Sequence, residues 1–330
     1  MRFSKKFLIL IIGLVFLSSL GTYSALDYEN SVTNAVVPTD STADGDFGCC
    51  SIVLQLENND TVITHRRDSP NDADVHIEQI DWHGIPAIKQ YKEEGGYFMH
   101  VIITENGWVI GQGGIDDGEE NQKIDEIAAK LITDDYSISE DTLSQIQEIK
   151  KPFGRGHFII KAPNGNYGFA NVDKLKTGKL EPGQYISIPN NYSLSRSGNL
   201  SLQSNDTIHD MVELARTDQY GDDRREIVTY DVDFSPENNT INIYVSNEDG
   251  AYVGVDNSPY IDDIYLNSTL VSGKDIPVAP EYKHIGSFTF GSGMANAGIM
   301  SYVMMGIIVV FICALSVGVY RFVRFIKFKK

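Results

Sequence analysis

GCCSIVLQLENNDTVITHRRDS, residues 48–69, decides how this 330-residue chain is read. Residues 50–56 form an apolar, β-branched run, the polar ENND makes a turn, and residues 61–67 (TVITHRR) form a second run. Two such runs across a short turn predict a hairpin, and this one opens directly at two adjacent cysteines. Besides Cys49 and Cys50 the sequence contains only Cys313. A disulfide scaffold needs more cysteines, and spaced ones, so the fold must stand on its hydrophobic core. The cysteine pair is therefore either reactive or a pair of structural thiols, a vicinal disulfide included.

Outward from the hairpin the same grammar repeats. Residues 74–92 predict short strands, and residues 98–114 predict a hairpin about the turn TENG. Apolar residues at Ile124, Ile127, Ala128 and Leu131 have helical spacing. A second helix is expected over residues 139–149, capped by Ser139. Residues 157–171 fold back at Asn164–Gly165, a strong turn signal. A strand ends at Asn190, a helix covers residues 207–216, and residues 225–247 predict a last hairpin. Residues 251–298, rich in Gly, Ser and Pro, are expected to be irregular and to lead to the membrane. Strands and helices in blocks, with antiparallel hairpins, indicate an α+β fold and exclude a doubly wound parallel sheet.

The chain ends differ from its body. Residues 1–25 have a basic start and an apolar run, the pattern of a signal peptide or N-terminal anchor. Residues 26–48 are small and polar and read as a linker or propeptide. Residues 299–320 carry no charge and are long enough to span a bilayer. The basic tail 321–330 that follows belongs in the cytoplasm by the positive-inside rule, with the body outside. The net charge is −18, and because the two ends carry +3 and +5, the segment between them carries −26. A body so acidic repels phosphate backbones, which excludes nucleic acid as a partner. Six Asn-x-Ser/Thr triplets, beginning at Asn59, Asn191, Asn199, Asn205, Asn238 and Asn267, are compatible with an external domain.

If the chain is cut before Cys49, one residue carries both a thiol and a free α-amine. The amine, with a pKa near about 8, can serve as the base. The stretch 48–69 resembles the start of the cysteine N-terminal-nucleophile (Ntn) hydrolases, within them the penicillin acyltransferase, bile-salt hydrolase and acid ceramidase group. The resemblance runs more faintly through residues 156–172, 185–192 and 225–244. It implies a four-layer αββα sandwich over residues 49–250, needing no cofactor or metal, and cleavage of a small-molecule or peptide-like amide, by hydrolysis or acyl transfer. It makes Cys49 the nucleophile, Arg66 the neighbouring arginine, Asn190 (followed by Asn191) the oxyanion donor and Arg225 a second site arginine. Where that group has Arg-Asn-x-Asp, this chain has Arg66, Arg67, Asp68 and Ser69, so the aspartate that would orient the amine, Asp68, falls one residue early.

Two other readings stand beside it. A papain-like site would combine Cys49 or Cys50 with His157 and Asn164 or Asn166, without the helix that normally begins at such a cysteine. A cell-surface binding module would use the acidic ectodomain and the membrane tether without chemistry. No His or Cys spacing matches a metal site, and Gly111, Gly113 and Gly114, lacking a following Lys-Ser/Thr, form a tight turn and not a phosphate loop. Asp116, Asp117, Glu119 and Glu120 read as a solvated acidic turn.

Overall fold

The computed structural model describes residues 49–68, 73–92, 98–114, 118–190, 195–201, 206–217, 225–235, 238–248, 261–273 and 275–291. The two apolar ends and the linker lie outside the described residues. Among the described residues no helix is long and apolar enough to cross a membrane. The fold is α+β, with two large, mainly antiparallel sheets and three α-helices among the described residues.

The first hairpin forms as its sequence predicts. β1 (Cys50–Gln55) pairs with β2 (Thr61–Asp68), Cys50 opposite Arg66 and Ser51 opposite His65. β1 is a central strand, flanked on its other side by β10 (Gln184–Pro189). The seven-stranded sheet runs β11-β10-β1-β2-β12-β13-β16, with β11 Arg196–Asn199, β12 Arg225–Asp233, β13 Asn238–Glu248 and β16 Lys283–Gly291. The nine-stranded sheet runs β15-β14-β3-β4-β5-β6-β7-β8-β9. Its strands are β3 Ala73–Trp82, β4 Ile85–Lys92, β5 Phe98–Thr104, β6 Val109–Gly113, β7 His157–Lys161, β8 Asn166–Asn171, β9 Leu175–Lys179, β14 Ile261–Leu266 and β15 Thr269–Ser272. All of its pairings are antiparallel except β3 with β14.

Three apolar clusters show how the parts pack. Val53, Ile63, Ile188, Val228 and Ile243 from the first sheet meet Val75, Ile88, Val101, Val109, Ile159 and Phe169 from the second. On the far side of the first sheet, Cys50, Ile52, Leu54, Val62 and Ile227 pack against Ile208, Met211, Val212 and Ala215 of α3 (Thr207–Thr217). On the far side of the second, Ile102, Ile110, Phe158 and Ile160 pack against α1 (Gly118–Ala129) and α2 (Glu140–Lys150) through Ile124, Ala128, Leu143 and Ile146. Both faces of β1 are thus buried, which is why residues 50–56 read as continuous apolar sequence and not as an alternation. Ser139 caps α2 by accepting from the Thr142 N–H.

Residues 251–298, expected to be irregular, instead supply β14, β15 and β16. These are edge strands or their neighbours with one exposed face, so their apolar residues are too few to mark a period. The sheets therefore extend past residue 250.

Candidate functional site

The beginnings of β1 and β7 and the ends of β6 and β10 meet at one end of the two sheets. Cys49 precedes β1, and its carbonyl accepts the Asn190 N–H at 3.0 Å, which extends the β1–β10 ladder by one step. Cys49 and Cys50 then take opposite faces, as strand neighbours must. Cys50 is fully buried under α3, while Cys49 keeps 8 % exposure and lies against Gly113 of β6.

Three glycines make room for this cluster. A Cβ on Gly113 would fall 2.7 Å from His157 Cε1 and 3.1 Å from Cys49 Cβ, so these two side chains flank one glycine. A Cβ on Gly111 would fall 2.4 Å from Ser51 Oγ, and one on Gly114 (φ +86°) 2.9 Å from Asn190 Oδ1. The glycines read from the sequence as a tight turn instead fall within β6 (Gly111 and Gly113) and just past it (Gly114), where they admit the polar side chains of the facing strands.

Those side chains form a chain of hydrogen bonds. Asn190 Oδ1 lies 2.7 Å from His157 Nδ1, His157 Nε2 lies 2.8 Å from Ser51 Oγ, and Ser51 Oγ lies 3.0 Å from His65 Nδ1. His65 stands beside His100, with ring centroids 5.1 Å apart. His100 is the extra residue where the β4–β5 register shifts, from Gln90↔Val101 to Tyr91↔Met99. Burial pushes the His157 pKa down to about 3, against the opposing bond to Asn190, and burial also pushes His65 well below its ordinary value. Both imidazoles are thus neutral near pH 7. Behind Gly113, Lys150 at the end of α2 is fully buried and donates to the Gly113 carbonyl at 3.4 Å; burial lowers its pKa to about 7.

Of the residues picked out in the sequence, the structure brings Cys49, Asn190 and His157 together. Arg66 pairs with Cys50 and so faces α3, where its Nη1 donates to the Ala215 carbonyl at 2.8 Å. The inward-facing arginine is Arg67, whose Nη1 donates to Glu226 Oε2 at 3.0 Å. Gln90 Nε2 donates to Glu226 Oε1 at 3.2 Å and Tyr230 donates to Gln90 Oε1 at 2.7 Å, so this buried group bridges the two sheets. Asp68 and Arg225 are register partners at the shared end of β2 and β12; their side chains lie outside the described part of the structure, as does Asn191. Asn166 begins β8, whose other end, Asn171, pairs with His157, and its Nδ2 donates to the Tyr136 carbonyl. Asn164 sits in the same turn and accepts the Asn166 N–H. The asparagine beside His157 is therefore Asn190 and neither of these.

Sequence reasoning missed Ser51, His65, Lys150 and Arg67. A serine or histidine within a strand ordinarily reads as its wet face. The available signal was that Ser51 and His65 share a hairpin face with apolar Val53 and Ile63. Among the described residues no group of three or more His, Cys, Asp or Glu is placed to hold a metal ion. No known protein family and no curated protein matches the chain.

Proposed function

We propose that the protein is an amidohydrolase or acyltransferase whose nucleophile is the Cys49 thiol, released as an N-terminal residue by cleavage after Gly48. The observation that carries this is the Asn190 N–H bonded to the Cys49 carbonyl at 3.0 Å, which sets an asparagine beside the residue that leads into a central strand. Helices packed on the outer faces of two large sheets support it, because the Ntn resemblance implies an αββα sandwich.

The chemistry then follows from the residues present. The α-amine of Cys49 takes the thiol proton, and the sulfur attacks an amide carbonyl. Asn190 Nδ2 donates to the oxyanion, a contribution of about 10²–10³ in rate for such a donor. The amine relays the proton to the departing nitrogen, and water or a second amine releases the acyl group. Cys50, enclosed by Ile52, Leu54 and Met211, is a small hydrophobe in this account. In the same reading the signal-like start, the apolar segment 299–320 and the basic tail hold the acidic body outside the cell, tethered to the bilayer. Its substrate is a small-molecule or peptide-like amide, met outside the cell or at the membrane surface.

One observation favours a second reading. His157 flanks Gly113 together with Cys49 and bonds to Asn190, so a Cys49–His157–Asn190 site of papain type would need no cut after Gly48. Against it, His157 Nε2, the atom that would take the thiol proton, is engaged by Ser51 at 2.8 Å. The test is acylation of the processed protein, whose chain begins at Cys49, by p-nitrophenyl acetate, read by peptide mass. Cys49→Ala should abolish the acetyl adduct and Cys50→Ala should retain it within about tenfold. An adduct on Cys50, or none on either cysteine, contradicts the nucleophile assignment.

A further inference from the structure

The hydrogen-bond chain that ends on Asn190 has a single direction. A side-chain carbonyl only accepts, so the 2.7 Å contact between Asn190 Oδ1 and His157 Nδ1 places the imidazole proton on Nδ1. Nε2 of the neutral ring is then an acceptor, and Ser51 Oγ–H donates to it at 2.8 Å. The serine has one proton to give, so it accepts from His65 Nδ1–H at 3.0 Å. Each link fixes the next, from His65 in β2 to Asn190 at the end of β10. His65, Ser51 and His157 are fully buried and Asn190 is 7 % exposed, so water cannot readily substitute for a missing partner.

We propose that His157 is a positioning residue of the Cys49 site: its Nδ1–H holds the Asn190 amide oxygen, so that the amide NH₂ is the group offered to the oxyanion, and Ser51 and His65 hold His157 in that tautomer. The proposal rests on the reading of Cys49 as an acyl-accepting nucleophile. An asparagine amide rotates freely at little cost, and turned the other way it would set its oxygen against a developing negative charge. Fixing it beforehand is what lets a donor stabilise the transition state without reorganising. His157 touches neither the thiol proton nor the acyl group here, and so differs in role from a papain-type base.

Two reactions of Cys49 separate this role from a merely structural one. Acetylation by p-nitrophenyl acetate forms the S–C bond through a tetrahedral oxyanion and expels p-nitrophenolate. Alkylation by iodoacetamide forms an S–C bond by displacement of iodide, with no oxyanion. For the processed protein in detergent, Asn190→Ala should slow acetylation about 100-fold while leaving alkylation within about threefold. His157→Phe should do the same, and the double variant should be no slower than either single one, because both remove one device. His157→Asn, whose Nδ2 occupies the place of Nδ1, should recover acetylation to within about tenfold of the parent. Ser51→Ala, the milder change, should cost acetylation about 3–10-fold with alkylation unchanged, which keeps the test open if His157→Phe fails to fold. In the parent protein, imidazole ¹⁵N shifts should show His157 protonated at Nδ1 and bare at Nε2. A proton on Nε2, equal loss of both reactions in His157→Phe or in Ser51→Ala, or multiplicative losses in the double variant would overturn the positioning role alone. A parent protein that is alkylated at Cys49 but never acetylated there overturns the nucleophile reading, and this inference with it.

Discussion

Gly113 lies against both Cys49 and His157, and a side chain added there would strike both. Gly113→Ala places a methyl 2.7 Å from a ring carbon and 3.1 Å from Cys49 Cβ. Overpacking of this kind costs about 1–3 kcal/mol, and here it falls on His157 and on Cys49, the proposed nucleophile. The variant should unfold at lower urea and should also acetylate more slowly than the parent protein. Parent-like behaviour in both would mean that Gly113 does not shape the site. At this scale the sequence points to Cys49 by its place before a strand, to Asn190 through the Ntn resemblance and to His157 through the papain-like alternative. It could not say that Asn190 belongs with both of the others, because that depends on β10 pairing with β1 across more than a hundred residues. His157 was accordingly matched with Asn164 and Asn166, its neighbours along the chain and not its neighbours across the sheets.

The elements are stabilised by faces that meet other elements. Helix α3 covers Cys50, Ile52 and Leu54 with Ile208, Met211, Val212 and Ala215, and Met211 is fully enclosed. Met211→Ala should cost about 2–5 kcal/mol, read as a lower urea midpoint, yet leave Cys49 alkylation in the folded protein unchanged, because α3 lies on the face opposite Cys49. Altered thiol reactivity at urea concentrations where the variant is still folded would contradict the face assignment. Ser139→Ala removes the α2 cap and should cost about 1 kcal/mol. The helices and the hairpins about Asn164–Gly165 and residues 105–107 were legible because capping, 3.6-residue spacing and turn chemistry act within one stretch of chain. β9, β11 and β14–β16 were not, since exposed edge strands such as Leu175–Lys179 and Arg196–Asn199 carry little apolar pattern. What pairs them is the neighbouring strand, which no local window contains.

The whole molecule buries basic groups that the unfolded chain leaves in water, and this sets a pH dependence. Burial holds His157 at about 3 and lowers His65 too, against 6.5 for an exposed imidazole. Below pH 6.5 the unfolded chain binds protons that these imidazoles refuse in the fold, so both lower stability as pH drops, His157 by about 1.4 kcal/mol per unit toward pH 3. Burial likewise lowers Lys150 and Lys161 to about 7 from 10.5, with Asp60 opposing the shift at Lys161. Between those values the unfolded state again binds more protons, so these two lysines make stability rise as pH rises from about 7. Between pH 6.5 and 4 the urea midpoint of His157→Asn should fall less steeply than the parent's, while Lys150→Met should shrink the gain between pH 7 and 9. Equal slopes in His157→Asn and the parent would mean that His157 is not buried as described. The same scale holds the central claim, that processing after Gly48 creates the nucleophile. Mass spectrometry of the mature N-terminus, on protein assayed for acetyl transfer to Cys49, tests it most directly. The account predicts that every acylated chain begins at Cys49; acylated chains that still carry Gly48 would contradict it.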